Sequence, residues 1–284
     1  MSPGPSHAPG WQGHLQLRYW RDGERTTALD RHDGPLRVLQ RLYPEGERIC
    51  HHVLVHPPGG IVGGDELQIT LQQAEGTHAL ITTPSATRFY RSAGPLAAQR
   101  LTATLADGAR LEWLPLETIA YRGCQAENHL RFELAPGASM LGWDMLALGL
   151  PAAGEPFDTG TVLQHLVLPG VWLERGRISA HDAALLGSPL GLAGQRVMGT
   201  LWCAAGSPFD AALREQLLSA AREVAGGHAL DATCGATSPS AQLVVCRALA
   251  PRVEPLFELW RAVRAAWRPL LWGLDSQPPR IWST

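Results

Sequence analysis

The sequence has 284 residues, 45% of them hydrophobic, and a formal charge of −2 at pH 7, which is enough apolar material for one large core or two modest ones. With a pI near 6.6 there is no electrostatic reason to expect nucleic acid or an anionic membrane as partner. All 24 basic residues are Arg, so a GxxxxGK[ST] phosphate loop and Schiff-base chemistry, which both require Lys, are excluded by inventory.

Residues 1–10 combine Pro3, Pro5, Pro9, Gly4 and Gly10 without a basic or apolar run, and are expected to be a disordered lead-in rather than a secretory signal. Residues 11–284 are expected to form a single domain. It divides into a β-rich body over about 11–198, a helix-containing part over about 199–273 and a tail over 274–284. Short alternating runs predict strands at 14–19, 38–42, 51–56, 67–72, 78–83, 99–105, 110–114, 129–134, 139–143, 162–168 and 171–178. Turn dipeptides such as Asp107-Gly108 and Pro136-Gly137 fall between them. This regular spacing suits a sandwich, a barrel or a solenoid of strands, and the pattern alone does not choose.

The most apolar stretch, 138–154, is broken by Asp144 and Pro151 and is too short to cross a bilayer. Ser207-Pro208-Phe209-Asp210 predicts a helix start, with Ser207 as N-cap and Gly226-Gly227 as the stop. Two further strands are expected at 229–233 and 242–247. A second helix is expected over 254–268, with Leu256, Leu259, Trp260, Val263 and Trp267 on its apolar face. Arg261, Arg264 and Arg268 lie opposite, and Pro269 ends or kinks it. Ten Trp and few charged residues predict extensive exposed apolar surface. The five cysteines are scattered without a CxxC pair, as expected of reduced thiols in the cytoplasm.

Four glycines and two prolines crowd 57–64, just before Asp65 and Glu66. They fix a specific backbone path that either serves as a tight crossover or presents these acids to a cation. Gly63–Leu67 nearly spells a GGDEF signature, but the flanking helices of that α/β domain are missing. Arg88 and Arg91 could hold an anion or simply be solvated. Asp144 sits in a nearly apolar run, which is costly for a carboxylate unless paired or metal-bound. Glu174 stands beside Arg175 in a similar run, with an ion pair as its plainest role. His51 and His52 face opposite sides of a strand, His56 is roughly 13 Å beyond His52, and His165 and His181 look isolated. No closed zinc site or nucleophile elbow follows.

Six segments, taken in order, resemble the UreD (UreH) urease accessory family: HPPGGIVGGDEL at 56–67, TTPSATRFYRS at 82–92, LEWLPLETI at 111–119, LGWDMLALG at 141–149, WLER at 172–175 and PRIW at 279–282. The resemblance spans 11–284. Departures are Leu116 where Gln is frequent, Arg88 where Lys is common, and Cys124 in place of a smaller residue. The resemblance implies a mainly β fold with many short strands in a right-handed β-helical, solenoid-like arrangement and two α-helices near the C-terminus. It implies no enzymatic activity, no catalytic or cofactor-binding residues, and a cytoplasmic chaperone role in nickel insertion into urease. The implied partners are UreF, UreG through UreF, and the structural subunits of apo-urease, with neither nucleic acid nor membrane. No cofactor is held tightly; nickel(II) passes in transit through an internal polar passage, for which Asp65, Asp144 and Glu174 are the candidate lining acids. Two alternatives remain open: a passive scaffold that never touches nickel, and a β-rich enzyme using Asp65, Glu66 and Glu112 as acid and base.

Overall fold

The computed structural model describes residues 10–150 and 153–283; most of the expected lead-in and Pro151 therefore lie outside the described residues. Strands dominate, at 47% of the chain against 18% helix. A seven-stranded sheet runs in the order β15 (Trp172–Ser179), β14 (Thr161–Leu168), β11 (Gln125–Leu134), β8 (Ala97–Leu105), β5 (Glu66–Gln73), β1 (Gln12–Asp22) and β2 (Arg25–Asp33). From β14 through β1 every neighbouring pair is parallel. Facing it is a second sheet in which β12 (Ser139–Leu150), β9 (Arg110–Leu114), β6 (His78–Thr82) and β4 (Ile49–Val55) are also parallel. Short strand β10 (Thr118–Ala120) pairs with the far half of β12, and β7 (Thr87–Phe89) pairs with β10, making a third wall. Chain order alternates between the walls, giving a solenoid-like stack of about 4 turns. The sequence left sandwich, barrel and solenoid open; parallel pairing between successive turns decides it, because parallel neighbours require a crossover through the other walls.

Alternation along the strands builds the interior. In β1, Leu15, Leu17 and Tyr19 point inward and Gln16, Arg18 and Trp20 outward. Leu15, Ile69, Leu101, Leu130 and Leu166 then stack in register across five strands as a buried aliphatic ladder.

The second sheet continues antiparallel through β16 (Val197–Ala205), β18 (Leu243–Ala250) and β17 (Cys234–Ser240). Its outer face is covered by α2 (Ala211–Gly226) and α3 (Val253–Trp272), which enclose a second apolar core with Leu141, Trp143, Leu201 and Val244. The expected apolar face of α3 is buried as read, each large side chain contributing ~1.5–3 kcal/mol.

Several expectations are corrected. A third, short helix, α1 (Ala183–Gly187), joins the two expected; strands β2, β7, β10, β13 (Glu155–Pro156) and β16 were not foreseen, and the strand expected at 38–42 is only β3 (Arg37–Val38). Helix α2 is capped by Asp210, whose carboxylate accepts from Ala212 and Leu213, so Ser207 lies outside it. Pro269 falls in the last turn of α3, which continues to Trp272 and stops at left-handed Gly273. Residues 231–233 form a 3-10 turn, and the strand begins at Cys234. Of the ten Trp, Trp143, Trp202, Trp260 and Trp267 are fully buried, whereas Trp11 and Trp20 are exposed together with aliphatic groups such as Leu42, Leu173 and Leu190.

Candidate functional site

One rung before the aliphatic ladder, the inward positions of the seven-stranded sheet change chemistry. Leu67, Gln99, Asn128 and Gln164 are in register on β5, β8, β11 and β14. Gln99 Nε2 donates to Asn128 Oδ1 at 3.3 Å. Gln164 Nε2 reaches across the interior and donates to Asp144 Oδ2 on β12. By backbone register Asp144 stands opposite Thr200 of β16, and Thr200 opposite Arg247 of β18. Arg247 closes the row by an ion pair to Glu174 on β15, again from one sheet to the other.

This polar row begins at a cavity of about 250 Å³ lined by His56, Gly59, Gly60, Thr83, Thr87, Arg88 and Gln99. Asp144 is surrounded by protein, yet part of its surface, like that of Gln99 and Gln164, stays accessible. Burial pushes the Asp144 carboxyl up to about 6; the Gln164 amide opposes the rise and the Glu174 charge adds to it.

Asp65 is placed differently. Its Oδ1 accepts from the Trp11 N–H at 2.8 Å and its Oδ2 from the Val62 N–H at 3.0 Å. Those bonds close the glycine loop and fasten β1. The loop itself is a tight crossover along the third wall: Ile61 exchanges backbone bonds with Arg88 and Tyr90. A Cβ on Gly60 would stand 2.0 Å from Tyr90 Cε2, which explains that glycine by close approach alone. At the cavity, burial pushes the His56 pKa down, against the Asp65 charge. Arg88 donates to Gly59 O at 3.3 Å, with no anion cradle formed with Arg91.

The three acids of the enzymatic alternative do not converge. Glu66 faces outward and pairs with Arg100 at 2.9 Å, and Asp65 is held by backbone. Glu112 is completely buried beneath α3, within 2.6 Å of Arg264 and 3.1 Å of Arg268. Despite the opposing effect of burial, Arg264, His78 and Arg268 hold its carboxyl far below the usual carboxylate range. Arg268 also reaches Glu45, which in turn contacts His51. Arg264 and Arg268 therefore belong to an internal ion network that clamps α3 to the second sheet, with Arg264 only 1% exposed. The expectation that set Arg264 and Arg268 opposite the apolar face is corrected: at i+4 from Trp260 and Arg264 they continue its buried side, and their burial follows from acids supplied over 150 residues away, which no local pattern reveals.

His51 and His52 do face opposite sides of β4. His51 meets Glu45, and His52 Nδ1 lies 2.6 Å from the Tyr19 hydroxyl inside the solenoid. His165, which looked isolated, lies against His129. Among the described residues no three or more His, Cys, Asp or Glu gather as a metal cage, and no helix is long and apolar enough to cross a membrane.

A family model described as UreD urease accessory protein matches residues 12–283. The chain is 64% identical over 276 residues to a protein of Leptothrix cholodnii named urease accessory protein UreD, covering 96% of this chain and 99% of that relative. A protein of Variovorax paradoxus with the same name is 58% identical over 274 residues, with the same coverage.

Proposed function

The chain belongs to the UreD urease accessory protein family, which implies a role in urease maturation, and from this premise we propose that it acts as a non-catalytic nickel conduit. In this reading nickel(II) is cargo. It enters at the cavity beside His56 and Thr87, moves along the carboxamides of Gln99, Asn128 and Gln164, and meets Asp144 and Glu174 before release. UreF and, through it, UreG join the chain in a cytoplasmic complex that delivers the ion to the structural subunits of apo-urease. GTP hydrolysis belongs to the partner, since this chain offers no Lys for a phosphate loop.

The observation that carries the reading is the polar row itself. From Gln99 to Asp144 its members lie at inward positions beside a rung that is aliphatic from β1 to β14, and the row bridges both sheets, ending at the partly exposed pair of Arg247 and Glu174, the latter in register with Leu166. An apolar replacement would fill that space with less desolvation cost, so a fold alone gives little reason for it. Of the three acids expected from the sequence, Asp144 and Glu174 lie on the row. Asp65 takes the role of fastening the loop at its mouth.

The test is co-expression with apo-urease and the other accessory proteins, measuring nickel per urease active site at equal amounts of assembled complex. Asp144→Ala and Glu174→Ala should leave assembly near normal and lower the nickel content. Delivery at the unsubstituted level by both variants would leave the passive scaffold as the better reading.

A further inference from the structure

The outer face of the seven-stranded sheet carries an arrangement that the interior row does not use. His129 on β11 and His165 on β14 are registered partners in parallel strands, so backbone pairing itself sets the imidazoles side by side. Their Nδ1 atoms are 3.2 Å apart and their ring planes stand at 87°. His129 Nε2 lies 2.8 Å from Glu127 Oε2. An ionised carboxylate can only accept, so it keeps the His129 proton on Nε2 and leaves the Nδ1 lone pair bare. His165 then donates from its own Nδ1 in the cation-free protein.

That separation has a second chemical meaning. Two imidazole nitrogens each ~2.1 Å from one ion, at an angle of about 90–110°, stand roughly 3.0–3.4 Å apart. We infer that His129 and His165 form a bidentate site on the outer wall for a late first-row divalent cation such as nickel(II) or zinc(II), with Glu127 as positioning residue. Two metal–nitrogen bonds replace two metal–water bonds. The His165 proton moves through solvent to its Nε2, so the ring stays neutral, and water fills the remaining positions. A carboxylate behind a ligating imidazole is the usual orienting partner in such sites.

The surrounding charges permit binding. Arg100 is tied to Glu66 and to Glu127. Arg175 is the registered neighbour of His165 on β15, and burial, His129 and Arg175 together push the His165 pKa down. His129 is 23% exposed, so the site is open to solvent and exchangeable.

Calorimetric titration of the full chain, free of any histidine tag, with nickel chloride at pH 7.5 tests this. Both His129→Ala and His165→Ala should lose one binding event seen in the parent, and Glu127→Gln should weaken it about tenfold. His165→Gln, which keeps a polar side chain on the strand, guards against a folding effect and should also lose the event. Asp144→Ala should retain it, so this site and the interior conduit stand or fall separately. Unchanged nickel stoichiometry and affinity in the histidine variants, or loss in only one of the two alanine variants, overturns the inference.

Discussion

Replacing Asp144 with Asn removes the charge while keeping the side chain's shape and an oxygen that can still accept from Gln164. Burial raises the carboxyl from 3.8 to about 6 in the native state. The sign follows from linkage. A carboxyl raised on folding makes the native state bind the proton more tightly than the unfolded chain does, so stability falls as pH climbs from about 4 through about 6. The full shift corresponds to about 3 kcal/mol above that window, and residual access to solvent reduces it to between about 1 and 3 kcal/mol. In metal-free protein, Asp144→Asn should therefore raise unfolding free energy by that amount at pH 7.5 and change it little at pH 4. Urea denaturation of the full chain at the two pH values reads this directly. Nickel loading of urease by the same variant should fall, because a carboxamide cannot neutralise a cation. A variant less stable at pH 7.5, or one delivering undiminished nickel, refutes the reasoning; the first outcome would make Asp144 a structural partner instead of a tolerated liability.

Two further outcomes are expected. Glu112→Gln leaves the buried guanidinium groups of Arg264 and Arg268 without their carboxylate and should destabilise the chain by about 3–5 kcal/mol, seen as lost soluble yield or a lower melting temperature. The parent should weaken in the same direction as pH falls below about 4.5, where the unfolded chain takes up the proton that the native Glu112 resists. The isolated chain should show no stoichiometric binding of GTP in equilibrium dialysis; nucleotide retained at one per chain would contradict a role without a phosphate loop.

What could be read in advance follows from how local each cause is. Strand alternation in β1, β5 and β8 and the apolar stripe of α3 are periodic over a few residues, so they were legible. The α2 cap slipped by three residues because Ser207-Pro208 mimics a helix start while Asp210 makes the bonds. Strands β2 and β16 escaped because one carries polar and exposed residues over most of its length and the other is buried on both faces, so neither alternates cleanly. Asp144 could be singled out because its run of neighbours is apolar. Its connection to Gln164, Asn128 and Gln99 depends on stacking register between turns, and register is invisible in one strand's sequence. The same limit hid His129 from His165, which lie 36 residues apart.

A conduit must also avoid capturing its cargo. Nickel(II) stands near the top of the divalent affinity order, and thiolate or imidazole donors would hold it. Transit needs donors that admit the ion and release it, as in channels. Three stronger ligands inside the solenoid, Cys50, Cys124 and His52, are disarmed. Burial pushes the Cys50 and Cys124 thiols up to about 11, so both stay protonated and a poor match for the ion. His52 is committed through Nδ1 to the Tyr19 hydroxyl. What remains along the row is oxygen: three carboxamides and the carboxylates of Asp144 and Glu174, the latter already shared with Arg247. An ion at Glu174 must compete with that guanidinium, and Arg247 can reclaim the carboxylate as the ion leaves. The pair that looks most like an ordinary structural ion pair is thus the one best suited to end a passage, because it supplies the counter-charge that makes release reversible.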